Sequence, residues 1–253
     1  MRIRFLLVTL IVLALRLPFL NQAIQGDDVY YLAGAEHAQI DPLHPNHARY
    51  AFQGQIVDMR GHPHPPLDAW CLAALLALLG TVSEIPYHAA YILFSLIASW
   101  SALSIARRLT TRPLIATLLF LATPAFVVNG NSLESDIPFL AFWLASIAIF
   151  LAAVDRRSMA LLTLFVLPAA LAALAAYQSI VLVPILWLYL WNRRRDWKLA
   201  WVAAVAAPAA LLIWQIFERV STGAMPATVL AGYMESYNLQ AFSQKLKSAV
   251  ALT

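Results

Sequence analysis

Apolar residues fall into seven runs along the chain, at about 3–20, 67–80, 86–106, 113–130, 137–154, 159–192 and 199–217, with polar residues gathered between them. Runs of this kind, bounded by arginines, predict helices that cross a membrane, each needing about 20 residues. The 67–80 run has 14 residues and is short for a crossing. The 159–192 run has 34; as one helix it would be ~51 Å long against a hydrocarbon core of ~30 Å. Two helices turning near Tyr177-Gln178-Ser179 fit it better.

The basic residues set the topology. Arg2 and Arg4, then Arg107, Arg108 and Arg112, then Arg156 and Arg157, then Arg193, Arg194, Arg195 and Lys198 hold 11 of the 17 lysines and arginines. If all four clusters are cytoplasmic, an even number of crossings separates each neighbouring pair. Taking the 67–80 run as an interfacial or re-entrant helix meets that condition. The result is an all-α, polytopic transmembrane bundle of about seven spans with its N-terminus in the cytoplasm. Leu17-Pro18-Phe19-Leu20-Asn21 is a poor signal-peptidase site, so the first run reads as a retained helix. The acidic residues test this placement independently. Of 13, only Asp155 and Asp196 fall on the cytoplasmic side, and all six histidines lie between His37 and His88. Residues 21–66, 131–136 and 218–253 then share one outer face with the interfacial helix, rich in carboxylate and imidazole.

Composition agrees: 62% of residues are hydrophobic, 12% are charged and the mean hydropathy is +0.72, about half the charge of an ordinary soluble domain. The net charge of +4 does not point to nucleic acid, because the basic residues sit at helix ends rather than on one face. Cys71, the single cysteine, has no partner for an internal disulfide and reads as a small packed residue. The alanine-rich tracts read as span filler.

The outer face carries the candidate chemistry. Asp27 and Asp28 follow the first span and precede Val29-Tyr30-Tyr31-Leu32-Ala33. One of them suffices to cap the helix that follows; the other is available as a general base. Gly61-His62-Pro63-His64-Pro65-Pro66 enters the interfacial helix. His62 and His64, two apart on an extended segment, share a face, and are either solvated turn residues or ligands for a divalent metal together with a carboxylate. Asn131-Ser132-Leu133-Glu134-Ser135-Asp136-Ile137-Pro138 is a helix start with a second acidic pair. Arg16, near the outer end of the first helix, either snorkels to the interface or faces inward to hold a phosphate. Arg49 and Arg60 are further candidates for a phosphate.

In this order the motifs resemble the membrane glycosyltransferases of the GT-C superfamily, the protein O-mannosyltransferase and aminoarabinose transferase group. The resemblance rests on a first helix with an arginine near its end, Gly26-Asp27-Asp28-Val29-Tyr30-Tyr31-Leu32-Ala33, His64-Pro65-Pro66-Leu67 with Trp70 after it, the helix closing on Ala106-Arg107-Arg108-Leu109, and the acidic loop before Ile137. It covers about residues 1–217, with the catalytic loop at 21–85. The family's usual Asp-Glu pair stands here as Asp27-Asp28. The resemblance implies transfer of a sugar from a polyprenyl-phosphate-linked donor to a hydroxyl of a lipid, glycan or protein, outside the cytoplasm at the plasma membrane and with inversion. It maps the catalytic acid onto Asp27 and the acid of the later loop onto Asp136, or else Glu134; beside them Asp28 reads as the partner that orients the acceptor or a metal. Substrate binding falls to Arg16, Tyr30, Tyr31, Arg49, Arg60, His64 and Glu134. A transporter or a subunit that binds a lipid-linked sugar is the alternative class. Relatives usually carry further spans, so residues 218–253 are expected to be an outer tail leading to spans absent from this chain.

Overall fold

The computed structural model describes residues 2–52 and 54–236. Among these residues the chain is built from twelve α-helices and one small hairpin. Helix α1 is Arg2–Arg16, followed by a 3-10 turn at Leu17–Phe19. Helix α2 (Asp28–His37) leads to strands β1 (Arg49–Phe52) and β2 (Gln55–Asp58), and then to α3 (Leu67–Leu79). Helix α4 is Glu84–Leu109 and α7 is Asp136–Arg156. These two are long and apolar enough to cross a membrane, with mean hydropathies of 1.7 and 2.4. Helices α3 and α8 (Met159–Ala175) are apolar but shorter.

Local chemistry sets the breaks. The 113–130 run is not one helix: it divides into α5 (Pro113–Leu121) and α6 (Pro124–Asn129). Pro124 lacks the N–H to continue α5, and Thr123 caps the new start by accepting from Phe126 N. The 159–192 run does divide near its expected turn. Helix α8 stops where Ala176 turns extended, a 3-10 turn covers Tyr177–Val181, and α9 runs from Leu182 to Arg193. The last run also divides, into α10 (Lys198–Ala203) and α11 (Ala206–Thr222). Helix α11 carries Glu218 and Arg219, placed in the tail by the sequence, and α12 is Pro226–Ser236. The expected approach to further spans, at 250–253, lies outside the described residues.

The fold is all-α as expected, with one small hairpin inserted between α2 and α3. Arg49 pairs with Asp58 and Phe52 with Gln55, leaving a two-residue connection with Gly54 at φ +78°. A glycine takes that left-handed conformation without a Cβ penalty.

Two apolar clusters hold the long helices. One joins α7, α8, α9, α10 and α11 through Phe150, Phe165, Leu186 and Trp214. The other joins α1, α4, α5, α6 and α7 through Val8, Leu103, Leu121 and Phe126. Ala153 on α7 and Ala169, Ala172 and Ala173 on α8 are fully buried. The alanines are therefore not filler: small side chains let these helices approach closely, as at helix contacts in membranes. Many large apolar residues face outward, among them Ile3, Leu78, Leu119 and Val220. A soluble protein does not expose that much hydrocarbon, but a lipid-facing surface does. A third cluster, of Tyr31, Leu32, Leu72, Tyr87, Tyr91 and Leu133, packs α2 and α3 against the N-terminal end of α4, beneath the acidic loops.

Candidate active site

Three helix N-termini bring acids together. Asp28 lies in the first turn of α2, Asp68 in that of α3 and Asp136 in that of α7. The partial positive charge of each N-terminus favours a carboxylate there. The opposite ends of α4, α7 and α9 carry Arg107, Arg108, Arg156 and Arg193 in their last turns.

The two adjacent aspartates differ sharply. Asp28 is 2% exposed. Its Oδ1 accepts from Leu133 N at 2.8 Å and its Oδ2 from Gln25 N at 3.3 Å. It thus ties the start of α2 to the loop before α7, across 105 residues. Burial raises its pKa, opposed by those two N–H groups and by His88. Asp27 occupies the cap position of α2 but makes no side-chain capping bond, and it is exposed. The simple capping role is therefore filled by neither side chain.

Asp68 belongs to the same cluster and was not singled out from the sequence. It is fully buried, accepts from the Tyr91 hydroxyl at 2.6 Å, and leaves Oδ2 buried without a partner. Burial drives its pKa well up, and Asp28, Glu134 and Asp136 add to the effect. Neutral Asp68 has a physical reason: an ionised carboxylate with an unpaired buried oxygen would be costly. Glu134 is less buried and is pushed up to about 7, by burial first and then by Asp136, Asp28 and Asp27. Asp136 is half-buried, and its Oδ2 accepts from Asn129 Nδ2 at 3.4 Å.

His62 and His64 share a face as expected, and both pack on Tyr31, with ring centroids at 5.0 and 5.9 Å. His62 Nδ1 accepts from His64 N at 3.2 Å, and burial lowers its pKa to about 4. The His64 ring is also held below its usual range by burial. His64 Nδ1 lies 3.1 Å from Ala175 O. A carbonyl only accepts, so Nδ1 carries the proton and the neutral ring presents Nε2 as an acceptor. Ser135 Oγ donates to the same carbonyl at 2.8 Å instead of capping α7. The last turn of α8 thereby satisfies an orphan carbonyl and pins the His64 segment to the start of α7. Tyr31 is 7% exposed, and burial, followed by Asp68 and Glu134, keeps its phenol protonated.

Among the described residues no group of three or more His, Cys, Asp or Glu side chains is arranged to hold an ion. His62 Nδ1 is already an acceptor within its own turn.

Among the described residues none of the three candidate arginines pairs with Asp28, Asp68, Glu134 or Asp136. Arg16 neither snorkels nor faces an open phosphate site. It is 2% exposed, donates to Ser95 Oγ, Val127 O and Phe126 O at 3.0, 3.1 and 2.5 Å, and lies over the Phe126 ring. Its guanidinium closes the C-terminal end of α6 and fastens it to α1 and α4. Arg60 grips Asp58 with both carboxylate oxygens and reaches Thr222. Arg49 is exposed and has no side-chain partner among the described residues. Tyr50 packs edge-on against Tyr30 with centroids at 4.6 Å, so β1 presents Arg49 on its other face.

The segment between α2 and α3 is held from the far side as well. His44 bridges Asp41 at 3.0 Å and Ser221 Oγ of α11 at 2.8 Å, stacked on Phe217.

A comparison with curated proteins gives no match. Residues 63–217 match a family described as dolichyl-phosphate-mannose-protein mannosyltransferase, a range that begins beside His62 and includes Asp68, Glu134 and Asp136 but not Asp27 or Asp28. With more than half of its length matched, the chain belongs to that family of membrane glycosyltransferases.

Proposed function

We propose that the chain moves a hexose from a polyprenyl-phosphate donor of the dolichyl type to a hydroxyl of a protein, glycan or lipid acceptor, with inversion at the anomeric carbon. Asp27 is the general base: it takes the proton of the acceptor hydroxyl as that oxygen attacks, and the lipid phosphate leaves with the bonding electrons. The observation that carries this reading is the contrast within the pair. Asp28 is buried and bonded, so it anchors the loop, while Asp27 is exposed and uncommitted at the edge of the acid cluster. A solvated carboxylate with no partner is free to take a proton, whereas one whose oxygens are held by two backbone N–H groups is committed to the loop.

Asp136 and Glu134 serve the acceptor side, with Tyr31 and His64 within electrostatic reach of them. Near pH 7 Glu134 is about half protonated, able to donate to or accept from a sugar hydroxyl. Arg49, the unpaired arginine of the outer loop, is the candidate for meeting the donor phosphate, by movement of the hairpin. The topology that suits this chemistry has seven crossings with the acidic end outside the plasma membrane. The even-crossing rule supports it, as does the segregation of acids and arginines to opposite helix ends.

Transfer from a labelled polyprenyl-phosphate sugar by membranes carrying the chain tests the reading. Asp27→Asn is expected to lower transfer by at least about 10²-fold, the scale of a lost general base. Transfer at wild-type rate by that variant would overturn the assignment.

A further inference from the structure

A cavity of about 650 Å³ opens at the arginine-rich end of the molecule, between α4, α7 and α8, remote from the acid cluster. Its volume lies within the usual range for small-molecule sites. Ile97, Ala145, Ala148, Ile149 and Leu161 make its walls apolar. The alanines leave the room: a larger side chain at 145 or 148 would fill the space between α4 and α7.

The mouth is strongly basic. Arg107, Arg108, Arg156 and Asp155 line it. Asp155 is already neutralised, because its Oδ2 accepts from Arg108 Nε at 3.2 Å and its Oδ1 from the Tyr189 hydroxyl at 2.5 Å. Arg108 also donates to Ser104 O at 2.8 Å. Arg107 and Arg156 are exposed and have no side-chain partner among the described residues. Two uncommitted guanidinia therefore stand over an apolar slot.

We propose that this cavity binds one anionic phospholipid, with its phosphate on Arg107 and Arg156 and part of an acyl chain along the apolar floor. Guanidinium groups suit phosphate oxygens through charge-assisted hydrogen bonds. The floor selects an amphiphile over free phosphate, since an inorganic ion would leave the apolar walls unused. The stretch from Ile97 to Arg108 spans about 16 Å along α4, enough for a length of chain below a headgroup. The site is separate from the transfer chemistry and does not depend on which membrane face the arginines occupy.

Native mass spectrometry of the full chain, released from nanodiscs of phosphatidylcholine containing phosphatidylglycerol, tests the proposal. Retention of one phosphatidylglycerol, enriched about tenfold over phosphatidylcholine, is expected. The double variant R107Q/R156Q should lose that enrichment while keeping its thermal midpoint, as both side chains are exposed. Ala148→Leu, with every arginine intact, should lower retention by obstructing the floor. Millimolar inorganic phosphate should not displace the lipid. Equal retention by wild type and R107Q/R156Q would overturn the proposal, as would unchanged retention by Ala148→Leu. Displacement by inorganic phosphate would reassign the site to a free anion.

Discussion

At the scale of single residues, position in the sequence and environment in the fold part company. Asp27 and Asp28 are indistinguishable in the sequence, yet one is exposed and the other anchors Leu133 N. Asp28→Ala is expected to cost about 1–3 kcal/mol, the penalty for orphaning a buried N–H. Asp27→Asn should leave the thermal midpoint where it is. A comparison of thermal midpoints in detergent decides this, and equal losses in the two variants would remove the distinction. Asp68 was illegible from the sequence because it reads as an ordinary first-turn acid after Pro66-Leu67. Only the fold buries it against Tyr91 and beside three other acids. As a neutral acid it is close in shape and charge to an amide, so Asp68→Asn should change stability by less than about 1 kcal/mol. A loss of several times that would mean Asp68 is ionised.

Glu134 gives a pH signature. Its folded pKa of about 7 lies above the ordinary value of 4.5, so the folded state binds the proton more tightly than the unfolded chain. Its stabilising contribution is present in full below about 4.5 and is lost as pH rises through about 7. Glu134→Gln should flatten the fall in thermal midpoint across that window. A profile unchanged by the substitution would show that other groups set it.

At the scale of elements, hydrophobic runs predicted where helices occur and the turn near Tyr177, but not the breaks inside 113–130 and 199–217. The break at Thr123-Pro124 and the turn after Ala175 depend on a cap and on contacts from distant segments. The hairpin has only a weak local trace, a glycine in a two-residue turn between short runs containing aromatic and branched residues, which the long apolar runs on either side outweigh. Arg16 shows the opposite case: the sequence drew attention to it for phosphate, and the fold uses it to close α6. Arg16→Met should cost about 1.5–3 kcal/mol, as charged hydrogen bonds do, read as a lower thermal midpoint. A Cβ at Gly130 would sit 1.7 Å from Arg16 Nη2 and 2.4 Å from Phe126 O, so Gly130→Ala should destabilise the same junction. A normal midpoint in both variants would remove Arg16 from the structural role given to it.

At the scale of the whole molecule, charge segregation was the most legible feature. Acids and histidines gather at one end of the helices and arginines at the other, and the fold preserves that division. What the sequence could not resolve was which acids meet, since Asp28, Asp68 and the Glu134–Asp136 pair come from three separated segments. In the proposed mechanism their convergence places the sugar transfer, and the exposed Asp27 supplies its base.

The most direct test of that claim is transfer of label from a polyprenyl-phosphate hexose by membranes carrying wild type or Asp27→Asn at equal abundance. The account predicts product with wild type and at least about a 10²-fold loss with Asp27→Asn. Undiminished product from Asp27→Asn would contradict it.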